Sequence, residues 1–169
     1  MSAVVARVGL ISDTHGKVDP RVHEALAGVD AILHAGDVCA DGVLYELQTI
    51  TPSLIAVMGN CDYGGYGWDL QLQARTTVAG VRFLVIHDLH DLGPVPDEVD
   101  VVVHGHSHRP SVQYHGRALV VNPGSASQRR REPSRSVAIV EIAEDGAVEA
   151  RIVALNDIAT PPHPGQERR

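Results

Sequence analysis

Six short, β-rich, nearly unbroken apolar runs, each ending in a polar, mostly glycine-bearing cluster, constrain this chain more than any other feature. They are Val4–Ser12, Ala31–Ala35, Ser53–Met58, Val81–Ile86, Val99–His104 and Ala118–Val121. A strand with one wet face alternates polar and apolar residues, whereas a strand covered on both faces reads as a continuous apolar run. The first three runs are separated by helical patterns, Arg21–Ala27 (ended by Gly28) and Val43–Ile50. That alternation predicts an α/β domain with parallel strands. Two hairpins are expected to extend it. In one, Gln71–Val78 turns through Ala79-Gly80 into Val81; in the other, Arg135–Ile142 turns through "EDG" into Ala147–Leu155.

The 169 residues suffice for one domain with its own core, expected over 1–159, and the tail 160–169 is expected to be disordered. No apolar run approaches the ~18 residues of a membrane span, and no signal-peptide pattern opens the chain, so a cytoplasmic protein is expected. In that setting Cys39 and Cys61 are expected to be reduced. A net charge of −7 and an aromatic content of 4% argue against a nucleic-acid surface, which needs cations and stacking platforms. Ten histidines call for another explanation, as ligands or proton carriers.

The six strand ends supply one. They read "SDTHG", "HAGDV", "MGNCD", "VIHD", "HGHSH" and "VNPGS". In a parallel sheet the carboxyl ends share one edge, and ligands bind in the crevice there. Asp13, His15, Asp37, Asn60, His87, His106 and His108 are therefore expected to converge. Asp13/His15 and His106/His108 are i, i+2 pairs, which in extended chain point to the same side. Seven nitrogen and oxygen donors suit borderline divalent ions such as manganese, iron or zinc rather than calcium. Each fragment alone is a common turn or cap; the ordered set, one member per strand, carries the signal.

In this order, "SDTHG", "GD", "GNCD", a strand-final histidine, "GHSH" and "NPGS" resemble the calcineurin-like metallophosphoesterases. The likeness is strongest to the small single-domain bacterial and archaeal phosphodiesterases and spans nearly all of Val4 to Leu155. The resemblance implies a two-sheet β-sandwich flanked by helices, the four-layer αββα arrangement, with two divalent ions at the strand ends. On that pattern Asp13, His15 and His108 hold one ion, Asn60, His87 and His106 hold the other, and Asp37 bridges them. Manganese is the leading candidate, with iron, zinc or nickel as alternatives. Ions about 3.5–4 Å apart share one water, make it nucleophilic near neutral pH and direct it in line at phosphorus. The implied activity is hydrolysis of a small phosphate ester, most simply a diester. No Gly-x-Ser-x-Gly elbow or P-loop offers a competing chemistry.

Several positions depart from the family pattern. Cys61 stands where larger relatives carry a histidine beside the leaving group, and a neutral thiol is a poor substitute. Small relatives commonly read "GNCD" as well, so Cys61 is either a weak catalytic group or packing. Asp62 is expected to orient loops and ligands rather than to react, although it belongs with Asp37, Asn60 and Cys61 in the candidate catalytic set. His87 is followed by "DLH" instead of "GH", leaving His90 as the alternative ligand; His87, directly ending "RFLVI", is preferred. Between His90 and Val99 the segment "DLGPVPDE" replaces the usual helix, so one flank should be bare, for a larger substrate or a partner subunit in a homo-oligomer. Arg130 falls at the family's loop arginine, a candidate phosphate contact, with Arg129 in place of its proline; Arg131 and Arg135 read as a solvated basic loop. His34 and His104 read as supporting or core residues, and His23, His115 and His163 carry no positional signal. A rival reading is a protein-binding scaffold of the same fold, like the retromer subunit, whose metal pocket is degraded. Here all seven positions keep a metal-competent side chain. A DNA-repair nuclease would need a basic face that this chain lacks.

Overall fold

The structure, a computed structural model, describes residues 2–62, 69–127 and 134–161. Ten strands form two mixed five-stranded sheets. The first contains β1 (Val4–Ile11), β2 (Ala31–His34), β3 (Leu54–Ala56), β9 (Ser136–Ala143) and β10 (Val148–Ala154), in the order β10-β9-β1-β2-β3. The second contains β4 (Gln73–Val78), β5 (Val81–Ile86), β6 (Val101–Val103), β7 (Ser111–His115) and β8 (Ala118–Asn122), in the order β4-β5-β6-β8-β7. Within each sheet three strands run parallel, β1-β2-β3 and β5-β6-β8, and the rest are antiparallel additions. The two expected hairpins are β4-β5 and β9-β10. Strand β7 is an element the apolar pattern did not announce: its "SVQYH" lies at a sheet edge with largely exposed side chains.

The pleat explains why the central runs are continuous. In β1, Ala6, Val8 and Leu10 point between the sheets, where they meet Phe83, Val85, Val103 and Val121 of the second sheet and Val140 of β9. Ile11 points the other way, into a layer built with Val22 and Leu26, around α1 (Arg21–Ala25), and Val43, Leu44 and Leu47 of α2 (Asp41–Gln48). Thus β1 is buried on both faces, the first by a sheet and the second by helices.

The second sheet is roofed differently. Leu84, Ile86, Val102 and Val120 on its outer face meet Val99 and the partly buried Leu89, Leu92 and Val95. These lie on a strap between β5 and β6 that holds one 3-10 turn, Leu89–Asp91, and no α-helix. Pro94 and Pro96 remove two backbone donors and disfavour helix there. A fully buried Leu or Val contributes about 1.5–3 kcal/mol; three partly buried ones hold this roof less firmly than the helices hold theirs. No described helix is long and apolar enough to cross a membrane.

Candidate metal centre

The carboxyl ends of both parallel sets open on one edge, and the loops leaving them are fastened together. Past the end of β1, Asp13 N donates to Gly36 O at 3.0 Å, His15 N to Asp37 O at 3.0 Å and Gly16 N to Val38 O at 2.7 Å. The β1–β2 pairing thus continues through the two loops that carry the acids. Asp62 ties in the third loop: its buried carboxylate accepts from Val38 N (3.2 Å), Cys39 N (2.8 Å) and Gly59 N (2.8 Å). Those three bonds make it a positioning residue. Glycine is required where loops meet most closely. A Cβ on Gly59 would collide with the Asp37 carboxylate, and one on Gly105 with Ser12 Oγ and Asp13 Oδ2.

The i, i+2 pairs are not extended. Asp13, His15, Asp37, Cys39, His106 and His108 all have φ between 46 and 67°, the left-handed region. Non-glycine residues there are strained, and such strain concentrates where a site dictates the backbone. Asp13 and His15 do face one place, but His106 and His108 diverge, which corrects the expectation of a common side. His108 turns inward beside His15, with ring centroids 5.3 Å apart; His106 turns outward beside His87, at 5.2 Å.

The result is a centre with two parts. In the buried part, His108 Nε2 lies 3.0 Å and His15 Nε2 3.8 Å from Asp13 Oδ1, and the two Nε2 atoms are 3.4 Å apart. Burial disfavours charge on Asp13, but His108 and the Ser12 hydroxyl outweigh it and hold the carboxyl below its ordinary range. In the open part, Asn60 Oδ1 lies 2.9 Å from His87 Nε2 and 3.0 Å from His106 Nδ1. Asp37 stands between, with Oδ2 3.8 Å from His15 Nε2 and Oδ1 3.5 Å from His87 Nε2. Beside the open part, a cleft of about 470 Å³ is lined by Met58, Leu72, Ile86, Asp88, Asp91 and the site residues themselves.

These donors fit cations. Asp13 Oδ1 is buried with no aligned hydrogen-bond donor, despite the nearby His108 ring. His87 Nδ1 faces the Ala35 carbonyl at 2.7 Å, so in the neutral ring it carries the proton and Nε2 is an acceptor. That acceptor confronts another, the Asn60 carbonyl oxygen. Two acceptors this close are stabilised by a positive ion that both can coordinate from one side. Ligand atoms of Asp13, His15 and His108 lie within 4.8 Å of one another, as do those of Asp13, Asp37 and His87.

Other candidates fall elsewhere. The His90 side chain is 95% exposed and engages Asp88 Oδ1 at 2.9 Å. His34 is fully buried, bonded to Thr14 Oγ1 and to Gly36 N, and burial lowers its pKa to about 4. His104 is buried in the same sense, its pKa lowered by desolvation. Arg135 pairs with Asp19 at 2.8 Å. Arg129, Arg130 and Arg131 lie outside the described residues, as do residues 162–169 of the tail. Burial, followed by the Asp37 charge, raises the Cys61 pKa. The apolar pattern gave no role to Ser12 or Asn122. Yet Asn122 Nδ2 donates to Gly105 O and Ser107 Oγ, both at 3.0 Å, bracing the histidine loop. Its place in "VNPGS", at a strand end, was the available signal.

Residues 7–145 match the family model of the calcineurin-like phosphoesterase superfamily domain. A probable metallophosphoesterase of Methanothermobacter thermautotrophicus is 32% identical over 142 residues, covering 75% of this chain and 81% of the relative. A Methanocaldococcus jannaschii protein named as a phosphodiesterase is 24% identical over 138 residues, 70% of this chain and 82% of its own. Among solved structures, Vacuolar Protein Sorting 29 of Cryptosporidium parvum superposes with a TM-score of 0.72 at 18% identity, covering 89% of this chain and 98% of that one.

Proposed function

The chain belongs to the calcineurin-like phosphoesterase superfamily, and from that premise we propose that it hydrolyses a small phosphodiester at a centre holding two divalent ions, manganese in the first instance. One observation carries the reading: two sets of metal-competent donors, one buried and one open, meet across the two oxygens of Asp37. Asp13, His15 and His108 would hold one ion, Asn60, His87 and His106 the other, with Asp37 shared. Bound there, the ions would neutralise phosphate charge and acidify water towards neutral pH.

The chain's own residues do the rest. Asp62 fixes the Asp37 and Asn60 loops relative to each other. His87 is oriented by the Ala35 carbonyl, an outer bond of the kind that sets which imidazole nitrogen faces a metal. With no ion on its sulfur, Cys61 is a weak acid, its pKa raised first by burial, and it gives a departing oxygen little protonation. Hence aryl diesters, whose phenols leave unprotonated, should turn over much faster than alkyl diesters. General-acid help is worth about 10²–10⁴ in rate where it exists. The M. jannaschii relative named as a phosphodiesterase supports the choice of diesters.

A second reading, a protein-binding scaffold, is favoured by the thin roof over the second sheet and by the likeness in fold to Vacuolar Protein Sorting 29. The complete donor set favours the enzyme. Elemental analysis after manganese loading near pH 8, where imidazoles are neutral, separates the two. Close to two ions per chain, with turnover of an aryl diester, is expected; no retained metal would promote the scaffold.

A further inference from the structure

One cluster of ligating side chains is only partly used by that reading, which leaves both sulfurs and His15 Nδ1 without a ligand role. Cys39 and Cys61 come from the loops after β2 and β3, yet one ligand atom each from Cys39, Cys61 and His15 lies within 4.8 Å of the others. Cys39 Sγ is 3.7 Å from His15 Nδ1. A tetrahedral zinc-like ion, about 2.3 Å from sulfur and 2.0–2.1 Å from nitrogen, spans such a pair at about 3.6 Å. Both cysteines are held through their backbone: Cys39 N donates to Asp62 Oδ1 and Cys61 N to Asp37 Oδ1, each at 2.8 Å. All three residues are half-buried, open enough for an ion to enter.

We propose that Cys39, Cys61 and His15 Nδ1 form a second, sulfur-containing subsite for a thiophilic divalent ion of the zinc class, sharing the His15 ring with the phosphoesterase centre. The sharing has a consequence. His15 Nε2 faces Asp13 and Asp37, each at 3.8 Å. A neutral imidazole has one lone pair. Coordinated through Nδ1 it carries its proton on Nε2 and is withdrawn from the phosphoesterase centre. Ions at the two positions therefore oppose each other, and the opposition is reciprocal. This last step rests on the proposed role of His15 in hydrolysis; the sulfur subsite does not.

The test is a cobalt(II) titration of reduced, metal-stripped full-length protein, read by absorption. Thiolate ligation gives a near-ultraviolet sulfur-to-cobalt charge-transfer band, whereas nitrogen and oxygen donors give only visible ligand-field bands. Wild type should show both. Cys39→Ser and Cys61→Ser, each leaving one thiolate, should each lose much of the charge-transfer intensity and keep the visible bands, and zinc should abolish the band in wild type. Zinc should also protect both wild-type thiols from iodoacetamide, a measurement that needs no variant to fold. Visible bands without a charge-transfer band at saturation would overturn the subsite and leave the phosphoesterase centre standing. An identical spectrum in Cys39→Ser, thiols already joined as a disulfide, or alkylation unaffected by zinc would also overturn it. Absence of every band would count against both sites.

Discussion

The two parts of the centre use the same kinds of side chain on the same sheet edge, yet they differ in their walls. Asp13 and His108 are buried, fastened between the ends of β1 and β6 and covered by the "NPGS" turn, whose Ser125 donates to Asp13 O. His106 is 47% exposed and Asn60 borders the cleft. The difference originates in the segment that leaves each strand. After β1 and β2 the chain passes into segments that pack against the first sheet; after β5 it enters the proline-bearing strap, which gives no helical wall. On the proposed reading the buried part would keep what it holds, and the open part would exchange it and admit substrate. An ion in the buried part should dissociate more slowly than one in the open part.

Removing what joins the two parts should have the largest effect. Asp37→Asn keeps the shape and deletes the charge between them. Several kcal/mol of charge stabilisation rest on the ions in such centres, so aryl-diester turnover should fall on the order of 10³-fold or more. Activity within tenfold of wild type would mean that the parts work independently. Asp62→Ala tests the frame instead. It strands three backbone N–H groups, each costing about 1–3 kcal/mol when buried unpaired, less whatever water recovers. A stability loss of about 3 kcal/mol in urea unfolding is expected. His106→Ala, on the open side, should cost under about 0.5 kcal/mol of stability while weakening metal retention. Equal stability losses would erase the distinction.

A smaller effect concerns the floor of the buried part. His34 titrates at an ordinary 6.5 when unfolded and near 4 when folded, because burial disfavours its charge. The unfolded chain therefore binds the proton more tightly. His34's contribution to stability is complete above about pH 6.5, declines as pH falls towards 4 and is gone below it, on the order of 3 kcal/mol in all. Denaturant unfolding of metal-free protein across that window should show the decline. His34→Asn, which cannot titrate, should flatten it; parallel curves would place the acid sensitivity elsewhere.

Much of this arrangement was legible in the sequence, for a physical reason. Strands buried on both faces must be apolar throughout, so their polar ends stand out, and parallel topology gathers those ends. What stayed hidden was whatever burial does not write. Strand β7, at an edge with wet side chains, leaves no apolar run. The left-handed turns at Asp13, His15, His106 and His108 leave no trace either, because the residues there are chosen for their side chains and tolerate an unfavourable backbone. That is why His106 and His108 read as a pair facing one side and are in fact divided between the two parts. Ser12 and Asn122 sat inside the strand-end motifs, but small polar residues at strand ends serve turns as readily as sites.

The smallest expected effect tests where the open part ends. His87 and His90 are three residues apart, and both could follow a strand into a metal site. The structure separates them by burial: His87 is packed against Asp37 and Asn60, while His90 lies on the strap and meets only Asp88 among the described contacts. An exposed pair of that kind is worth about 0–1 kcal/mol. His90→Ala should therefore leave stability within about 0.5 kcal/mol and turnover within about threefold of wild type. His87→Ala removes a donor from the open part and unpairs the Ala35 carbonyl, and should cost at least tenfold in metal affinity, about the loss that outer-sphere changes alone produce. Should the two variants prove equally damaging, the strap would have to fold inward when the centre is loaded. The open part would then be a closing one, and its contrast with the buried part would hold for the metal-free protein alone.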